Sequence, residues 1–402
     1  MVGALLVALG PVSMALYTPA MPQLADVFST TEPMIKLTLS LYFGGFALAQ
    51  LISGPFSDAF GRRKASMVFL SIFLAGSLMA ALAPNVWVLM AGRLVQGIGS
   101  SVGMTVSRAI VRDQFTGAQS ARIMNMIGIM LAIGPAVAPT IGGLSLVALG
   151  WQSIFVIMIG FGITAIGVVL LFMPETTIPD PGRLHPVLLA RSYRAILSNG
   201  HFVSAALTIA CSIGALYALA TILPFILIHQ VGMTPAEYGI GMLAQTGSFL
   251  SGSLLFRYLL GRYQAQQLVL PGLVIIGLAS IGIFLSAEFI PLSYISIMIP
   301  VGFYAFGIAF VIPHLTTVAL APFAHSAGAA SAVMGFMQMG SGLVAGVVSA
   351  LIGSPTLSYQ FVLPGMGLIA ISSYICHAAL TRRAQEPELE PEKSEDDQLV
   401  IP

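Results

Sequence analysis

Charge is scarce in this chain. Of its 402 residues only 8% are Asp, Glu, Lys or Arg, while 57% are hydrophobic. A soluble domain carries about 25% charged residues. A chain this poor in charge has no means of covering a water-facing surface, so lipid has to be the solvent for much of it. Cysteine is scarcer still. Cys211 and Cys376 stand far apart in apolar runs, which excludes a disulfide framework and reads as two packed thiols. Also missing are CxxC, HExxH, GxSxG and a phosphate-cradling glycine loop in a usable context. That absence leaves no support for a hydrolase, a metalloenzyme or an ATP-driven machine. No cofactor or metal site is expected, and any energy the protein uses has to come from a gradient. No basic segment precedes the apolar run that begins at Val2, so the first span is expected to act as its own targeting signal.

What the chain has instead is length of apolar sequence. Crossing about 30 Å of hydrocarbon at about 1.5 Å per residue takes about 20 residues. Runs of that size fall at 2–22, 36–57, 66–84, 87–107, 123–148 and 152–173, then at 202–229, 236–257, 266–287, 290–312, 328–352 and 358–380. They predict an all-α membrane protein with twelve transmembrane helices in two six-helix halves, residues 1–173 and 201–380. The polar break at 174–200 holds Glu175, Asp180, Arg183, Arg191 and Arg194 among several prolines. It reads as a linker with a short surface helix at 184–198. The segment 381–402 carries a run of acids from Glu386 to Asp397 with little apolar sequence, and is expected to be a disordered cytoplasmic tail.

Lys and Arg set the orientation. With the N-terminus inside, Arg62, Arg63 and Lys64 follow span 2, and Arg108, Arg112 and Arg122 follow span 4. The linker arginines, then Arg257 and Arg262, then Arg382 and Arg383 fall on the same side, against Lys36 alone on the other. Both termini are therefore expected in the cytoplasm. The halves also echo each other. Gly61-Arg62 after span 2 matches Gly261-Arg262 after span 8, with Tyr258 where Asp58 would fall. A parallel repeat of six-helix halves points to a transporter, with its binding site between the halves near the bilayer midplane.

The most specific motif is Gly54-Pro55-Phe56-Ser57-Asp58-Ala59-Phe60-Gly61-Arg62-Arg63-Lys64. Asp58 suits a helix cap or an ion pair with a neighbouring arginine, and Gly54 and Gly61 suit a tight turn. Topology alone explains the basic triplet, but not the aspartate and both glycines, so Gly54, Asp58, Gly61, Arg62 and Arg63 read as a conformational latch. This segment resembles the major facilitator superfamily, whose loop between helices 2 and 3 has the pattern GxxxDxxGRR/K. The resemblance runs from Leu5 to about Arg383. It continues in Arg93-Leu94-Val95-Gln96-Gly97, similar to the family's RxxQG. An arginine inside a span is costly and is read as functional by default, with a structural donor to neighbouring carbonyls as its alternative. In similar exporters that arginine is implicated in proton coupling, which singles out Arg93, Gln96 and Gly97. Gly128, Gly134-Pro135, Pro139 and Gly142-Gly143 resemble the antiporter pattern GxxxxxGPxxGPxxGG, and alternatively make a small-residue packing face.

The nearest branch is that of the Bcr/CflA drug-resistance exporters. Tyr17-Thr18-Pro19-Ala20-Met21-Pro22 looks like its D-x-Y-L-P-A-L-P, Gly150-Trp151-Gln152-Ser153-Ile154-Phe155 resembles its GWRxIF, and Ala321-Pro322-Phe323 with Gly328 resembles its segment before helix 11. One departure matters: the branch's helix-1 aspartate is Ala15 here. No carboxylate lies deep in any span, which argues against a cavity tuned to cations. The remaining candidates for coupling are Asp26 near the outer mouth and His314, placed at the end of span 10. Tyr17, Tyr42, Tyr217, Gln245, Tyr304 and Gln338 are the polar handles expected in a cavity, each with lipid or a neighbouring helix as its alternative. The resemblance implies a secondary active exporter of the bacterial inner membrane, working as a monomer. It would move neutral or amphiphilic small molecules of the chloramphenicol kind by alternating access, with protons as the coupling ion and no nucleic-acid partner. The alternative is an exporter of a specific metabolite, siderophore or nucleoside, with drug efflux incidental.

Overall fold

In the computed structural model, which describes residues 2–115 and 117–385, helices follow one another along the chain and the described residues hold no strand. Helix α1 (Val2–Tyr17) passes through a 3-10 turn, Thr18–Ala20, into α2 (Met21–Val27). Pro19 and Pro22 stand in the first turn of each short piece, where a missing N–H costs nothing. Then come α3 (Glu32–Phe60), α4 (Arg62–Ala81), α5 (Val86–Gln114), α6 (Gly117–Leu149) and α7 (Gln152–Phe172). A 3-10 turn at Pro181–Leu184 and α8 (Pro186–Leu197) form the linker region. They lead into α9 (Gly200–Pro224) with a π-helical extension, Phe225–Gln230. The chain continues through α10 (Pro235–Leu259), α11 (Ala265–Phe289), α12 (Tyr294–Leu320), α13 (Ala327–Ile352) and α14 (Pro355–Gln385). Side-chain caps begin several of them: Asn85 accepts from the Val88 N–H, Asn199 from Phe202, and Thr234 forms a capping box with Glu237.

Among the described residues, nine helical segments are long and apolar enough to cross a membrane: Val2–Val27, α3, α4, α7, α9 with its extension, α11, α12, α13 and Pro355–Arg382 of α14. Large apolar side chains such as Leu149, Leu171, Phe172 and Leu351 stand exposed on outward faces, as expected where lipid replaces water. Buried side chains gather into two main cores. One is built almost wholly from α1–α7, including Leu16, Phe43, Phe73 and Phe155. The other runs from Ile196 in α8 to Met366 in α14 and includes Phe202, Ile276, Tyr304 and Leu363. The principal helix pairs between them are α3 with α13 and α6 with α10.

Several expectations need correction. Lys36 is no loop residue: it lies one turn inside α3 and is fully buried. His314 is not at a helix end, because α12 continues past Pro313 to Leu320. Residues 381–385 prolong α14 instead of opening the tail, while 386–402 lie outside the described residues. Cys376 is exposed on α14 and only Cys211 is packed inside. For Lys36, His314 and 381–385 the helix runs further than the apolar run, because a polar side chain does not by itself end a helix.

Candidate functional site

At the α3–α4 corner, Gly61 has φ +99°, a conformation that side chains with a Cβ resist. A Cβ there would also overlap the Glu175 carboxylate. That carboxylate accepts from the backbone N–H of Arg62 at 2.7 Å and of Arg63 at 3.2 Å, capping α4 from the segment after α7. The Arg62 side chain turns back and is buried. It pairs with Asp58 on α3, donates Nε to Asp113 Oδ2 on α5 at 3.1 Å, and donates Nη1 to Ser57 Oγ at 2.6 Å. Arg63 donates to the Leu170 carbonyl at 2.6 Å. The predicted residues Asp58, Gly61, Arg62 and Arg63 therefore come together, joined by Ser57, Asp113 and Glu175, which sequence reasoning missed. An acid directly after Arg112, at the end of a basic stretch, was the available signal for Asp113. Gly54 has no heavy atom within 4 Å of where a Cβ would stand, so close approach does not demand glycine there. The linker returns to this corner. The Asp180 N–H donates to the Asp58 carbonyl at 3.2 Å and the Tyr193 hydroxyl to the Leu51 carbonyl at 2.5 Å. Burial pushes the Tyr193 phenol up to about 12, so it remains a donor throughout the neutral range.

Deeper in the first core, Arg93 is fully buried on α5. Its guanidinium lies between two aromatic faces, 4.3 Å from the Tyr17 ring centroid and 4.4 Å from that of Tyr42. Nη1 donates to Gln96 Oε1, and Gln96 Nε2 in turn reaches Ser77 Oγ at 2.7 Å. The rings are themselves pinned: Tyr17 to Thr38 at 2.7 Å, Tyr42 to the Gly10 carbonyl and Ser100, both at 2.9 Å. A Cβ on Gly97 would overlap the Tyr42 carbonyl oxygen, so glycine lets α5 approach α3 closely enough to make this stack.

The α6–α10 seam carries the glycine–proline motif. A Cβ on Gly142 would overlap the Leu16 carbonyl of α1, and one on Gly143 the Pro235 carbonyl of α10. Thr140 donates to the Gly239 carbonyl at 3.0 Å, beside Pro139. Gly134 and Pro135 lie one to two turns back in α6, Gly134 against Val12; the surroundings of Gly128 lie outside the description. At the end of α3 away from its basic corner, His229 of the π-helical turn pairs with Glu32 at 2.9 Å, and Lys36 Nζ lies 5.5 Å from the Phe225 ring centroid.

Residues 3–348 match the family model described as Major Facilitator Superfamily. This chain belongs to the Major Facilitator Superfamily. It is 30% identical over 359 residues to the uncharacterized MFS-type transporter YdgK of Bacillus subtilis, covering 87% of both chains. It is also 30% identical over 244 residues to the multidrug resistance protein MdtL of Salmonella paratyphi B, a match spanning 60% of this chain and 61% of that one. By fold it resembles a D-xylose-proton symporter, with TM-score 0.71, 14% identity, and 93% and 95% of the two chains covered. A bacterial homologue of the lysosomal transporter Spinster, inward-facing and unoccupied, gives TM-score 0.67 at 16% identity, with 94% of each chain covered. The protein is thus a multi-pass membrane transporter.

In this facilitator the predicted polar handles separate into two groups. Tyr217, Gln245 and Gln338 are half-buried, and the Tyr217 ring on α9 lies tilted against Phe43 of the first core at 5.1 Å. Tyr17, Tyr42 and Tyr304 do not face open space: all three are fully buried between helices, the first two as the walls around Arg93. Asp26 is exposed on α2. A cavity of about 520 Å³ opens elsewhere, between α10 and α12, with exposed Ile295, Ile299 and Phe303 at its rim, so it faces the surroundings of the bundle and not its axis.

Proposed function

We propose that this facilitator is a secondary active exporter of neutral or amphiphilic small molecules, of the chloramphenicol kind, driven by protons in the bacterial inner membrane. Twelve spans form two halves, 1–173 and 201–380, joined by the linker 174–200, with both termini in the cytoplasm and one chain as the working unit. The halves rock about a central site. The observation that carries this reading is the pair of seams, α3–α13 and α6–α10, between two separately packed cores. Helices that meet through small residues and few polar ties can part at one end while staying in contact at the other.

The Asp58–Arg62 corner, with Gly61 and Arg63, acts as the latch, and Arg93, Gln96 and Gly97 belong to the coupling machinery. The glycine–proline stretch from Gly128 to Gly143 shapes α6 for export. Likeness to the Salmonella multidrug resistance proteins supports the drug-export reading, and the Bcr/CflA assignment rests on the motifs around Tyr17, Trp151 and Pro322. The test is efflux from a pump-deficient bacterium loaded with chloramphenicol, a fluoroquinolone or a cationic dye, with and without an uncoupler. Uncoupler-sensitive export of chloramphenicol is expected. Failure of all three, with protein in the membrane, would transfer the assignment to a specific metabolite.

A further inference from the structure

The buried charges of the described residues are one-sided. Lys36, Arg62 and Arg93 are buried, and no Asp or Glu is. Arg62 is answered by Asp58 and Asp113 at its corner. Lys36 Nζ has no hydrogen-bond partner, and on Arg93 neither Nε nor Nη2 has one. An arginine cannot escape its burial by losing its proton, so those two donors remain charged and unmet. They are also the two nitrogens of a single edge. Tyr17 and Tyr42 lie against the guanidinium and Gln96 takes Nη1, which leaves the buried Nε–Nη2 edge as a fork without a partner. That fork matches the two oxygens of a carboxylate. From Tyr42 aromatic rings lead to Phe43 at 6.2 Å and on to Tyr217 on α9 at 5.1 Å, so a flat apolar body has rings to lie against on the way to the edge.

We infer that the cargo is an aromatic amphiphile bearing a single carboxylate, which takes the free Nε–Nη2 edge of Arg93 as its anchor. This rests on the exporter reading only in placing the cargo between the two cores, and it replaces the neutral cargo of that reading by an anion. When the halves part, the anchor becomes reachable, and the anion supplies the counter-charge that the chain omits. A neutral isostere leaves the fork unmet and is rejected, as buried polar sites reject ligands lacking their partner.

The experiment is binding to the purified full-length protein, followed by thermal shift and equilibrium titration, with 2-naphthoate, 2-naphthamide and 2-naphthylmethylammonium as probes. Naphthoate is expected to bind at least about tenfold more tightly than the amide, with no binding of the cation. Arg93→Lys keeps the charge but removes the fork, and is expected to erase the preference for carboxylate over amide. Should that variant fail to fold, the wild-type comparison of carboxylate and amide decides alone. Equal binding of the amide, absence of naphthoate binding, or an undiminished preference in a folded Arg93→Lys protein each overturns the inference. Export of chloramphenicol is scored separately. A protein that binds naphthoate yet exports no neutral drug refutes the neutral-drug reading and leaves this one standing, and the reverse pattern does the opposite.

Discussion

Arg62, Arg93 and Lys36 are all buried, and each meets different surroundings. Arg62 has two carboxylates and a hydroxyl, Arg93 has two ring faces and an amide, and Lys36 has the Phe225 ring and the charge of Glu32 one turn before it. The consequences of substitution differ accordingly. Asp58→Asn weakens the tie to Arg62 and is expected to lower transport at least about tenfold with protein still reaching the membrane, measured as efflux per unit of membrane protein. Lys36→Met replaces a buried ammonium that has no hydrogen-bond partner by an apolar chain of similar length, so the ligand-free variant is expected to melt at a higher temperature than the parent. A lower melting temperature would mean that attraction to Glu32 outweighs the cost of burying the ammonium. Asp58 and Arg62 were legible in the sequence because a short loop brings them together. Asp113 and Glu175 were not, since their meeting with Arg62 depends on how α5 and α7 lie beside the corner.

Elements in this bundle meet where side chains are absent. The α3–α5 pair comes close at Gly97, and the α6–α10 pair at Gly143. Gly97→Ala would drive a methyl group into the Tyr42 backbone and loosen the stack around Arg93; loss of folded protein on size-exclusion chromatography is the expected outcome. Gly54→Ala is the contrasting case, with open space around it, and should leave folding and thermal stability within about 0.5 kcal/mol of the parent. Both glycines belong to motifs, so spacing in the sequence does not rank them. What ranks them is which one faces a neighbouring backbone, a matter of helix rotation. Glu175 shows the same limit at a helix end. Its carboxylate caps α4 from a distant part of the chain, and Glu175→Ala should destabilise that end by about 1 kcal/mol, read as faster amide exchange at Arg62 and Arg63.

For the whole molecule, the informative contacts are those between the two cores. Glu32 and His229 pair across them at the end of α3 away from the basic corner, close to Lys36 and Phe225. If transport requires that end to open, holding it shut must stop transport. In a background with Cys211 and Cys376 replaced by Ser, the pair Glu32→Cys and His229→Cys should be bridged by a short, reducible bis-thiosulfonate reagent, since the contact joins side-chain tips. Transport should fall to background and return on reduction. Full transport by the cross-linked protein would show that the contact does not separate during the cycle.

The sequence by itself determined that this is an all-helical chain for lipid and which family it joins. Those properties depend on composition, on the length of apolar runs and on short-range motifs. Local chain geometry translates each of them directly into structure. The tertiary structure decided which cations are answered, which glycines carry close approach and which tyrosines are walls instead of lining. Each of those depends on the rotation of one helix against another. In a chain apolar on nearly every face, hydrophobic periodicity carries little information about rotation, so the buried edge of Arg93 emerges only once the helices are packed.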